Sequence, residues 1–155
     1  MYETTMYFVE TKTEEQPAAL CHWVERFYEE AKRVQVLAGS SMAAQHLDHL
    51  LWTFAQGSFI PHRIGSSDQS EAPPIEPVII TVGESAVEGA TVLICDGPAE
   101  LEFMLRYEHV VHFVLLDDPE KRQNSRSLWQ KVRDLGIRAN HVSYVPKGKP
   151  APFKL

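Results

Sequence analysis

The chain has 155 residues, 44% of them apolar and 23% charged, with a formal net charge of -6 at pH 7. That balance supports one globular domain over residues 1–155 with its own core, and it excludes wholesale disorder, a collagen-like chain and a fixed-period solenoid. Net acidity argues against a surface built throughout to grip a nucleic-acid backbone, and apolar runs such as Val110 to Leu116 fall well short of the roughly 20 residues that span a bilayer.

Thr4 to Val9 reads as an opening strand, followed by a polar connection from Thr11 to Gln16. Pro17 suits the first turn of a helix, where its missing N–H is not needed. Leu20, Trp23, Val24, Phe27, Tyr28 and Ala31 then recur at helical spacing as a buried stripe. Val34 to Ala38 is a short strand, Gly39 ends it, and Ser40 or Ser41 can cap the next helix. In that second helix Ala43, Leu47, Leu50, Leu51 and Phe54 share one face, whereas Trp52 points well over a right angle away from it. Beyond Gly57 comes the apolar trio Phe59, Ile60 and Pro61. The stretch 65–77, rich in Gly, Ser and Pro, reads as a mobile surface loop.

Val78 to Val82 and Thr91 to Cys95 are strands around a turn-rich segment from Gly83 to Gly89. Pro98 to Tyr107 reads as a helix with Leu101, Met104 and Leu105 turned inward. His109 to Leu116 is a strongly apolar strand, and Pro119 to Leu135 a long helix stopped by Gly136. A last strand near His141 to Val145 precedes a Pro- and Lys-containing C-terminal tail, residues 146–155, expected to fray. Apolar strands alternating with amphipathic helices predict an α/β fold, a mostly parallel, Rossmann-like sheet with helices on both faces. No nucleotide-binding fingerprint accompanies it: the Leu37-Ala38-Gly39-Ser40-Ser41 turn carries one glycine where that chemistry uses several.

Catalytic and metal chemistry find little support in the residues. His46 and His49 flank Asp48 on a helix, but no third ligand is placed by sequence and both lie toward solvent, so no metal site is expected. Ser85, His62, His109 and His112 belong to no nucleophile motif. Cys21 and Cys95 sit in apolar stretches as structural thiols, and no cofactor is called for. With no basic start joined to an apolar stretch, the expectation is a cytoplasmic chain without a secretory signal. The last long helix is more informative. Lys121, Arg122, Arg126, Lys131, Arg133 and Arg138 stand against Glu120 and Asp134 in one segment, a local balance of 6 - 2 = +4. Arg122, Arg126, Trp129 and Arg133 fall at i, i+4, i+7 and i+11, one ridge of three guanidiniums and an indole, while Leu128, Val132 and Leu135 supply a neighbouring core face. Such a ridge, with Trp52 as a second outward indole, suits a ligand carrying both negative charge and an apolar ring.

The segment Leu47 to Trp52, the Phe59-Ile60-Pro61-His62 run and the Val110 to Val114 strand leading into the basic helix resemble the chi subunit family of bacterial DNA polymerase III holoenzyme. The resemblance implies a non-catalytic accessory subunit that binds the acidic, phenylalanine-ended C-terminal tail of single-stranded-DNA-binding protein, meeting single-stranded DNA only indirectly. By similarity Trp52 would wall the tail pocket, Val114 would floor it, and Arg122 and Arg126 would take tail carboxylates. Trp129 would stand as a further aromatic, and Lys131 would substitute for a basic side chain where Gln130 stands. Phe59, Ile60 and Pro61 would meet a second partner, the psi subunit or a helicase. Two other readings stay open: a small nucleotide-binding or hydrolytic enzyme using the Gly39 turn, and a direct single-strand binder stacking bases on Trp52 and Trp129.

Overall fold

Alternate side chains of the first strand enter two different cores, and that alternation sets the layering. In the computed structural model, which describes residues 3–54, 59–65 and 75–145, β1 (Thr5–Thr11) sends Val9 to one side and Met6 and Phe8 to the other. On the Val9 side lie α1 (Gln16–Glu29), entered through a short 3-10 turn, and α2 (Ser41–Thr53). On the Met6 and Phe8 side lie α3 (Leu101–Met104) and α4 (Pro119–Asp134). The remaining strands are β2 (Val34–Ala38), β3 (His62–Ile64), β4 (Val78–Val82), β5 (Val92–Cys95), β6 (His109–Leu115) and β7 (Arg138–Ser143). Among the described residues they form one sheet in the order β3-β4-β2-β5-β6-β1-β7, with every neighbouring pair parallel. The α/β class with helices on both faces is therefore correct, and the sheet is more uniformly parallel than expected.

Local sequence explains most of the elements. The α1 stripe is buried at Leu20, Trp23, Val24 and Phe27. The helix stops at Glu29, however, and Ala31 lies beyond it at φ 60, where the Ala31 and Lys32 N–H groups donate back to the Tyr28 and Phe27 carbonyls. Ser40 caps α2, its hydroxyl accepting from the Ala43 N–H at 3.1 Å. In that helix Ala44, Leu47 and Leu51 are the buried positions.

Two expectations are corrected and one strand is added. The helix expected over Pro98 to Tyr107 is a single turn, Leu101–Met104, with Phe103 and Met104 buried and Leu105 only partly so. The chain must leave that turn to feed β6: the Tyr107 hydroxyl donates to buried Gln35 on β2, and the Thr4 hydroxyl donates to the Tyr107 carbonyl at 2.7 Å. The last strand starts at Arg138, three residues earlier than expected, and ends at Ser143, two earlier, paired along its whole length with β1. His62–Ile64, unassigned from sequence, adds to the far edge beside β4. The expected mobile loop falls mostly on residues 66–74, and the C-terminal tail 146–155 wholly, outside the described residues.

Gly39 has a packing role. A Cβ at Gly97 would lie 2.6 Å from the Gly39 nitrogen, so the exit of β5 crosses the exit of β2 backbone to backbone. The turn that invited a phosphate-binding reading is faced by Gly97 and Pro98.

Candidate functional site: a basic, aromatic groove beside α4

The start of α4 is fixed by Asp118, whose carboxylate accepts from the Lys121 N–H at 3.1 Å, and by Pro119 in its first turn. Val132 is buried, and Leu128 and Trp129 pack against the Met6 and Phe8 core. Leu135, expected among the core contacts, is exposed at the helix end, just before Gly136 turns the chain at φ 71.

A groove of about 380 Å³ lies between α4 and the sheet, lined by Phe8, Glu10, Val114, Arg122, Ser125, Arg126, Trp129, Gln130 and His141. Strand register builds its floor. Phe8 sits between His112 on β6 and His141 on β7, and Glu10 sits between Val114 and Ser143. Phe8 meets Trp129 edge to face at 4.9 Å between ring centres, and Arg133 lies 5.8 Å over the same indole. Arg122 and Arg126 are exposed on the groove wall, and among the described residues neither guanidinium has an ion-pair or hydrogen-bond partner. Glu10, the acidic member of the lining, is held 2.9 Å from His141 Nε2. The arrangement offers two uncommitted cations beside an apolar floor and an indole wall, which is the chemistry of an anionic ligand carrying a ring.

Of the residues assigned to this pocket from sequence, Val114, Arg122, Arg126 and Trp129 come together. Lys131 does not: it lines a cavity on the other side of α4, and Gln130 takes its place in the groove. Trp52 is a larger correction. It is carried by α2, which packs on β3 and β4 on the opposite face, whereas Trp129 lies over β1. Five strand spacings separate β3 from β1, roughly 24 Å at about 4.8 Å each. Helical spacing shows that an indole points away from its own core stripe but not which face and edge of the sheet its helix covers.

Trp52 belongs to a second aromatic surface. It is 55% exposed, with ring centres 5.2 Å from Phe59 and 4.9 Å from His62. Phe59 is 60% exposed, Pro61 is partly buried, and Ile60 is buried in the core. His62 holds this corner: Nδ1 lies 2.7 Å from the Ile60 carbonyl and Nε2 lies 3.1 Å from the Asp48 carbonyl and 3.2 Å from its carboxylate.

The cavity across α4, about 440 Å³, lies at the carboxyl ends of β5 and β6 and includes Cys95, Asp96, His112, Lys121, Ser125 and Lys131. Burial raises the Asp96 carboxyl, opposed by His46 and Lys121, and lowers His112 to about 4, so that imidazole is neutral at pH 7. Burial also pushes both Cys21 and Cys95 up to about 12, leaving them protonated thiols. His46 and His49 are exposed, and among the described residues no cluster of three or more His, Cys, Asp or Glu could hold a metal ion. Sequence reasoning missed Phe8, Glu10, Ser125, Gln130 and His141 as groove residues. Ser125 was within reach of it, standing three residues after Arg122 and four before Trp129, whereas Glu10 and His141 arrive through strand register alone.

A family model described as DNA polymerase III chi subunit, HolC, matches residues 1–140, and the chain belongs to that family of accessory subunits associated with DNA polymerase III. No curated protein sequence matches it. Similar solved structures include domain 2 of the Mss116p DEAD-box helicase bound to an RNA duplex, with a TM-score of 0.60 and 12% identity over 94% of this chain. This chain spans 65% of that one. A second is the C-terminal domain of a Dbp5 variant from S. cerevisiae bound to Gle1 and IP6, with a TM-score of 0.58, 14% identity, and coverage of 92% of this chain and 90% of that one. Identities this low carry the fold and nothing of the helicases' activity. Among the described residues no helix is long and apolar enough to cross a membrane.

Proposed function

We propose that this chi-family chain is a non-catalytic adaptor whose α4 groove binds the acidic C-terminal tail of single-stranded-DNA-binding protein, while its Trp52 and Phe59 surface holds a second partner, the psi subunit or a helicase. The observation that carries the reading is the pair of uncommitted guanidiniums, Arg122 and Arg126, beside the Trp129 indole in one groove. Tail carboxylates take the guanidiniums, and the terminal phenylalanine ring enters against Trp129, Phe8 and Val114. His141 holds the Glu10 carboxylate, which limits its repulsion of an anionic guest. Because the cations are exposed, the attraction is screened within about 8 Å at physiological ionic strength, so affinity is modest and falls with salt.

The second surface lies on the opposite face and edge of the sheet. Both can be occupied together, which a link between coated DNA and the clamp loader, or a repair helicase, requires. Contact with single-stranded DNA is then indirect. A mobility-shift experiment tests this against direct stacking of bases on the tryptophans: the chain should retard an oligonucleotide coated with the binding protein and leave the bare oligonucleotide where it runs alone. Retardation of bare strand, or undiminished retardation after the coat protein's tail is removed, contradicts the adaptor reading.

A further inference from the structure

We propose that Ser125 is a ligand-contacting residue of the groove, its hydroxyl donating to a carboxylate of the bound acidic peptide while His112 holds the serine oxygen in place. The proposal rests on the reading of the groove as an acidic-peptide site.

Ser125 is 4% exposed and lines both cavities, so it stands in the partition between them. It lies on the same helical ridge as Arg122 and Trp129, three residues after one and four before the other. A serine inside a helix commonly donates back to the carbonyl four residues earlier. Here the oxygen is instead 2.8 Å from His112 Nε2, and among the described residues it has no other hydrogen-bond partner.

Burial keeps His112 neutral at pH 7, so the ring carries one N–H. With that proton on Nδ1, Nε2 accepts and the serine hydroxyl is spent on the histidine. With the proton on Nε2, the ring donates to Oγ and the serine O–H is free to donate into the groove between Arg122 and Arg126. Among the described residues Nδ1 has no hydrogen-bond partner that would fix one tautomer. An anionic group at Ser125 therefore selects the Nε2–H form and fixes the partition's hydrogen-bond direction when the groove fills.

The test uses the full chain and a short synthetic peptide of aspartates ending in phenylalanine with a free carboxylate. Calorimetric titration should show binding about tenfold weaker for Ser125→Ala, the usual scale of a lost hydrogen bond to a charged group, with binding restored in Ser125→Thr. Nitrogen-15 NMR of the His112 ring in the parent should show the Nε2–H tautomer rising on saturation with peptide. A structural role for Ser125 would not move that signal. Equal affinity of parent and Ser125→Ala, or a His112 tautomer unaltered by bound peptide, overturns the assignment while leaving the groove intact. No binding by the parent overturns the groove reading itself and this assignment with it.

Discussion

At His112 the cost of desolvating an imidazolium outweighs any compensating charge nearby, and burial pushes the group down to about 4. The unfolded chain takes a proton there near 6.5 and the folded chain does not until about 4, so stability is full above the higher value and is lost as pH falls through the window between them. Between pH 7 and pH 5 the loss from this ring is about 2 kcal/mol. His109, also lowered by burial, adds in the same sense. Asp96 acts the other way: burial raises it, so its charged form costs the fold at neutral pH and acid relieves that cost. Denaturant titration at the two pH values should therefore show a smaller acid loss in His112→Gln than in the parent, and equal losses would contradict the assignment of the drop to this residue. The same burial that shapes His112 was invisible in sequence, where it was one of several histidines outside any motif. Its neighbours Phe8 and Ser125 come from β1 and α4, separated from it by about a hundred residues in one case and by thirteen in the other.

At the level of elements, α4 was the most legible because its chemistry repeats at its own period. Arg122, Arg126 and Trp129 read as one ridge from spacing and form one wall in the structure. β7 and β3 were less legible for a common reason. Each is an edge strand with little apolar alternation to show, and pairing with β1 or β4 defines it. The glycine crossing between the exits of β2 and β5 makes an asymmetric prediction. Gly97→Ala puts a Cβ 2.6 Å from backbone that cannot step aside, whereas a Cβ at Gly39 meets Gly97 at 3.7 Å, an ordinary contact. Thermal unfolding should show Gly97→Ala destabilised by about 2 kcal/mol and Gly39→Ala changed much less. Comparable losses in both variants would mean that Gly39 is required for something other than close approach.

For the whole molecule, the consequence of the sheet order is two separate aromatic surfaces, the α4 groove and the Trp52 and Phe59 patch. Sequence placed Trp52 and Trp129 together because both turn from their helices' cores, and nothing local could reveal that β3 and β1 lie five strand spacings apart and that the sheet itself stands between the two indoles. The fold class was legible from the alternation of apolar strands with amphipathic helices, since each element announces its own buried face. The partition of helices between faces is a property of chain crossovers, which no single element encodes. On the proposed reading that separation would let one chain hold two partners, and it makes the effects of substitution divisible. The most direct measurement is titration of the phenylalanine-ended acidic peptide against Arg126→Ala, Trp129→Ala, Trp52→Ala and Phe59→Ala in the full chain. The first two should bind at least tenfold more weakly than the parent and the last two within twofold of it, on the scale of about 1.4 kcal/mol per tenfold. Weakening by Trp52→Ala as large as that by Trp129→Ala, or unchanged binding in Arg126→Ala, would contradict the account.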